Sequence, residues 1–121
     1  MSLDVPPPFT HPVEAEFARI LDFYGIPWEY EPRTFVLARD GRGSIIEAFS
    51  PDFYLPDQDL YIELTTMLPN QIRHKNRKIK RLRELYPEIN VKLFKRGDIR
   101  SLMLKFGIEN GDRFDLLLNA F

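Results

Sequence analysis

The chain has no cysteine. That excludes a disulfide framework and any cysteine-based zinc site. It has no apolar run approaching ~20 residues, so no segment reads as a membrane span. The opening "MSLDVPPPF" lacks the basic and apolar regions of a secretory signal. Together these absences predict a cytoplasmic protein. There is no internal repeat, and the nearest thing to a low-complexity segment is Pro6-Pro7-Pro8, which reads as extended.

What is present is ordinary in amount and uneven in distribution. Hydrophobic residues at 44% and charged residues at 29% of 121 predict one globular domain with its own core. The net charge of −1 conceals two opposed halves. Residues 1–64 carry 12 acids and 4 bases, a balance of −8; residues 65–121 carry 6 acids and 13 bases, a balance of +7. The stretch "RHKNRKIKRLR", residues 73–83, holds seven Lys or Arg and one His. Such a run is either a solvated helix face or a surface that meets a polyanion.

Apolar spacing predicts a helix over residues 11–24, with Thr10 as N-cap, Pro12 in the first turn and Gly25 at the end. "IPWEYEP" and "RTFVLAR" are strand-like. Asp40-Gly41 in "RDGRGS" signals a hairpin, "IIEAFSPDFYL" returns as the second strand, and "LYIELT" follows the turn "PDQD" as the third. A long helix over residues 70–86 ends before Pro87. "INVKLFKR" is a fourth strand and "IRSLMLKF" a short helix closed by Gly107. The expected fold is therefore α/β. Three strands form an antiparallel meander, and a helical crossover brings a fourth strand in parallel. Residues 1–11 read as an extended segment, 12–106 as the domain and 107–121 as a C-terminal extension.

Two carboxylates stand inside apolar strand runs, where an uncompensated charge is costly. Alternation along a strand places Asp52 on one face with Tyr54, and Glu63 with Tyr61 and Thr65. Paired about their short turn, strands two and three bring Asp52 and Glu63 side by side. Two close carboxylates need a counter-charge. A hard divalent cation such as Mg²⁺ or Mn²⁺ supplies one through oxygen ligands. The other reading leaves one acid on an exposed edge and pairs the second with a helix Lys or Arg.

The long helix offers such a partner. At ~100° per residue with Ile72 at zero, Ile79 falls at ~340°, Leu82 at ~280°, Tyr86 at ~320° and Leu85 at ~220°. Lys75, at ~300°, sits in the middle of this apolar stripe, and Lys78, at ~240°, on its flank. Lys75 either points at the carboxylates or snorkels past the helix start to water. On the first helix, Glu14 shares the buried face with Phe17, Ala18 and Leu21. It is either a third site carboxylate or a first-turn acid favoured by the helix dipole.

Pro51-Asp52 on strand two, Glu63-Leu64-Thr65 on strand three, Glu14 on the first helix and the phrase "GIPWEYEP" together resemble the PD-(D/E)XK nuclease superfamily. The resemblance spans roughly residues 12–105, and it rests on element order more than on the short motif. It implies a restriction-endonuclease-like α-β-β-β-α-β core. The implied activity is Mg²⁺- or Mn²⁺-dependent hydrolysis of DNA phosphodiesters. Asp52, Glu63 and the Leu64 carbonyl would hold the metal, with Glu14 assisting directly or through water. Thr65 stands where the motif has lysine. In some members that lysine has migrated to the following helix, which makes Lys75 its replacement; Gln71 is similar to a helix glutamine of several subfamilies. Arg73, Arg77, Lys78 and Arg81 would meet backbone phosphates. Two alternatives remain. One is a non-cleaving member that binds nucleic acid or regulates a partner; the other is an interaction domain whose acids and Lys75 are merely ion-paired. A homodimer, or fusion to a larger protein, is compatible with so small a domain.

Overall fold

The structure, a computed structural model, describes residues 9–65, 69–95, 97, 98 and 101. The triple proline and the C-terminal extension lie outside these residues. So does the helix expected over 99–106, Ser101 apart, and the side chain of Gln71.

Helix α1 spans Pro12–Phe23, with Phe17, Ala18, Leu21 and Glu14 on its buried face. Its N-cap is His11 rather than Thr10, and His11 makes no side-chain capping bond. The first-turn acid instead reaches back to the residue before the cap. Glu14 Oε1 accepts from the Thr10 N–H at 3.1 Å, a carboxylate at the positive end of the helix. Gly25, at φ 66°, turns the chain out of α1 in a conformation that favours glycine.

Among the described residues six strands follow, where the sequence predicted a meander of three and a fourth. They are β1 Glu29–Tyr30, β2 Phe35–Arg39, β3 Ile45–Phe49, β4 Phe53–Leu55, β5 Leu60–Thr65 and, after α2 (Pro69–Leu85), β6 Val91–Lys95. The expected long second strand is broken between β3 and β4, at Ser50-Pro51-Asp52. Proline has no N–H to give a ladder, and the Asp52 N–H is committed to a side chain, as described below. The break sends β3 to pair with β2 in a separate two-stranded sheet, while β4 joins a four-stranded sheet in the order β1-β4-β5-β6. "IPWEYEP" contributes β1, antiparallel to β4. The parallel crossover through α2 is present as predicted, joining β5 to β6.

The β2–β3 turn is longer than the Asp40-Gly41 signal implies. Asp40 Oδ1 accepts from the N–H groups of Arg42 and Ser44 at 2.8 and 3.0 Å. The left-handed residue is Gly43, at φ 85°, so the aspartate side chain organises a loop reaching Ser44.

Every residue of β5 is buried, as expected for a central strand covered on both faces. Leu60, Ile62 and Leu64 join the α1 side of the core with Phe17, Leu21, Trp28, Phe53 and Phe94. Tyr61 joins Phe35, Leu37, Ile79, Leu82 and Val91 on the α2 side. Phe53 is fully buried, edge-on to Phe17, Trp28 and Tyr30. Truncating a core phenylalanine to alanine costs about 3–5 kcal/mol, so this ring anchors α1 to the sheet. The α2 stripe is as the angles predict: Ile72, Ile79 and Leu82 are buried, whereas Leu85 is exposed. Among the described residues no helix is long and apolar enough to cross a membrane.

Candidate functional site

The alternation that sends Ile62 and Leu64 towards α1 turns Glu63 and Thr65 towards α2. Phe53 pairs with Ile62 and Leu55 with Leu60, and the same register sets Asp52 opposite Glu63. Both acids and Thr65 are buried. The main chain ties the two acids together: the Asp52 N–H donates to Glu63 Oε1 at 3.1 Å, and the Leu64 N–H donates to Asp52 Oδ2 at 2.8 Å.

Lys75 completes the group. Its Nζ donates to Glu63 Oε2 at 2.6 Å and to the Leu64 carbonyl at 3.0 Å. Thr65, on the strand itself, carries no charge; the ammonium arrives from the helix above. One cation faces two carboxylates, so the balance is incomplete. Burial first, then the Glu63 charge, push the Asp52 carboxyl up to about 8. Burial also raises Glu63, with Lys75 opposing it. The pair therefore holds a proton more readily than ordinary carboxylates do, unless a further cation enters.

Glu14 belongs to a neighbouring cluster. It accepts from the Tyr30 hydroxyl at 2.6 Å, on the same oxygen that the Thr10 N–H reaches. Its charge adds a smaller repulsion to Asp52. Burial, followed by the bond to Glu14, pushes the Tyr30 phenol up to about 12, which keeps it a donor at neutral pH.

The basic residues predicted to face phosphate are not equivalent. Arg77 is ion-paired with Glu47 of β3. Arg81 lies on the surface, 3.9 Å from Glu84. Arg73 is exposed. Lys78 is half-buried, and its Nζ donates to the Ala48 carbonyl at 3.4 Å. It lines a cleft of about 510 Å³ whose other walls include Ser50, His74, Lys75 and Glu63. Ser50 and His74 were not identified from the sequence. Ser50 Oγ lies 2.7 Å from Thr34 Oγ1. His74 could have been found from its place one turn before Lys78.

The donors available to a metal are the two carboxylates and the Leu64 carbonyl, all oxygen. That set suits a hard cation, which takes one or two carboxylates and completes its shell with water and phosphate. Among the described residues no three His, Cys, Asp or Glu side chains gather at one point, and Glu14 Oε1 is engaged by Tyr30 and Thr10. Compared with protein-family models, with curated proteins and with solved structures, the chain gives no match.

Proposed function

We propose that this domain is a Mg²⁺- or Mn²⁺-dependent DNA endonuclease of the PD-(D/E)XK type, with its lysine supplied by α2. The observation that supports this most is the Lys75 ammonium bonded to both Glu63 and the Leu64 carbonyl, beside Asp52. A purely structural ion pair needs one acid and one base. Here a second buried acid is added at a cost, and a cleft opens alongside.

Asp52, Glu63 and the Leu64 carbonyl would hold the metal, which when bound lowers the pKa of water and offsets phosphate charge. The chain's own residues do the rest. Burial of the two carboxylates keeps their field undiluted by solvent. Lys75 carries a preorganised positive charge to the cleft wall, where a scissile phosphate would lie. Lys78 and Arg73 offer cations to neighbouring phosphates, contacts that give affinity and little sequence information. Glu14, fixed by Tyr30 and Thr10, contributes negative field to Asp52.

A second reading, a non-cleaving domain that binds nucleic acid or a protein partner, is favoured by one observation. Lys75 already satisfies two of the proposed metal donors. Titration calorimetry with Mn²⁺ on wild type and Asp52→Ala separates the two. Binding by wild type and none by the variant is expected. Equal binding, or none by either, contradicts the metal-dependent reading.

A further inference from the structure

Lys75 and a divalent cation compete for the same atoms. Nζ lies 2.6 Å from Glu63 Oε2 and 3.0 Å from the Leu64 carbonyl, so it engages two of the three groups proposed above to hold the metal. Mg²⁺ binds oxygen at ~2.0–2.1 Å. A cation drawn to the same two oxygens meets the like charge of the ammonium at close range, so the two occupants compete for them. The lysine also has an exit. Its side chain is 22% exposed, and it forms part of the cleft wall with Ser50, His74 and Lys78.

We propose that Lys75 is a resident counter-ion: its ammonium holds the metal seat in the resting protein, and a divalent cation displaces it into the cleft. The inference rests on the metal-site reading of Asp52 and Glu63. It gives Glu63 a counter-charge whether or not a metal is bound, so Glu63 is never an unpaired buried charge. It also predicts a cost. Apparent metal affinity falls by the fraction of molecules in which the seat is open. In the loaded state the same ammonium faces the cleft, where an incoming phosphate would meet it.

The test compares Mn²⁺ binding by wild type and Lys75→Met, which keeps the apolar stem. The variant should bind Mn²⁺ on the order of tenfold more tightly, because no ammonium has to leave first. It should also gain more melting temperature on Mn²⁺ addition than wild type does. Equal or weaker binding by a folded variant overturns the proposal.

Wild type supplies a second reading that needs no variant. Brief acetylation with an N-hydroxysuccinimide ester, read by peptide mass spectrometry, should label Lys75 severalfold more at saturating Mn²⁺ than without metal. The exposed Lys80 serves as the internal reference. Unchanged or reduced labelling in the metal-bound protein overturns the displacement. Failure of both proteins to bind Mn²⁺ would defeat the underlying metal-site reading, an outcome distinct from metal binding that leaves Lys75 in place.

Discussion

Asp52 and Glu63 face each other across β4 and β5, and each acid is held by the main chain of the other's strand. The Asp52 N–H donates to Glu63 Oε1, and Asp52 Oδ2 accepts from the N–H of Leu64, the residue after Glu63. This interlock occurs where Pro51 interrupts the strand and frees backbone groups from the ladder. A proline that weakens the sheet thus leaves room for a pair of carboxylates to be fixed, with Lys75 above them.

The first prediction concerns pH. The Asp52 carboxyl is raised from 3.8 to about 8 by burial and by Glu63. Between those values the folded chain binds more protons than the unfolded chain. Its contribution to stability is therefore complete below about 4 and is lost as pH rises towards about 8. Glu63 shifts in the same direction. The melting temperature in metal-free buffer should fall across this range. Asp52→Asn, which keeps an oxygen for the Leu64 N–H, should flatten the fall and melt several degrees higher at the alkaline end. An identical pH profile in the variant would show that Asp52 is not the titrating group.

The Tyr30–Glu14 bond is the second. Tyr30→Phe keeps the ring against Phe53 and removes the donor. It leaves buried Glu14 with a poorer set of partners, for a loss of about 1–3 kcal/mol. Urea unfolding measures this directly. A midpoint unchanged at constant slope would mean that solvent replaces the hydroxyl and that the bond contributes nothing net.

Third, the α2 cations should differ in DNA binding. Lys78→Ala should weaken affinity for all sequences alike and reduce the salt slope by about one unit. Arg77→Ala should do less, because Glu47 already engages that guanidinium. Glu47→Gln should free Arg77 and steepen the slope. Fluorescence anisotropy over a salt series distinguishes them. If Arg77→Ala proves the more damaging change and Glu47→Gln has no effect, the ion pair does not persist in the complex.

The inward position of Lys75 was legible because helix periodicity is local: one residue every ~100° decides which side chain meets the sheet. The opposition of Asp52 and Glu63 was legible because alternation and a short turn leave few registers. The break at Pro51 was harder to read. "IIEAFSPDFYL" is continuous in strand propensity, and only the tertiary demand for two sheets decides where it divides. The same holds for partners distant in sequence. Nothing near Arg77 announces Glu47, thirty positions earlier, and nothing near Glu14 announces Tyr30. The proposal of a hard-cation site came from the resemblance and the pairing of acids, whereas the seating of Lys75 on Glu63 and the Leu64 carbonyl required the geometry.

The most direct test of the central claim is single-turnover cleavage of a panel of duplex, flap and junction DNAs in Mg²⁺ or Mn²⁺, run on wild type, Asp52→Ala and Lys75→Met. The account predicts metal-dependent cutting by wild type and none by Asp52→Ala. It predicts a folded Lys75→Met that still binds metal and DNA but cuts ~10²–10³-fold more slowly, the loss expected for one preorganised charge. Wild-type rates in Lys75→Met would remove the lysine from the chemistry. No cleavage of any substrate by wild type would contradict the endonuclease reading and leave the domain as a binding module.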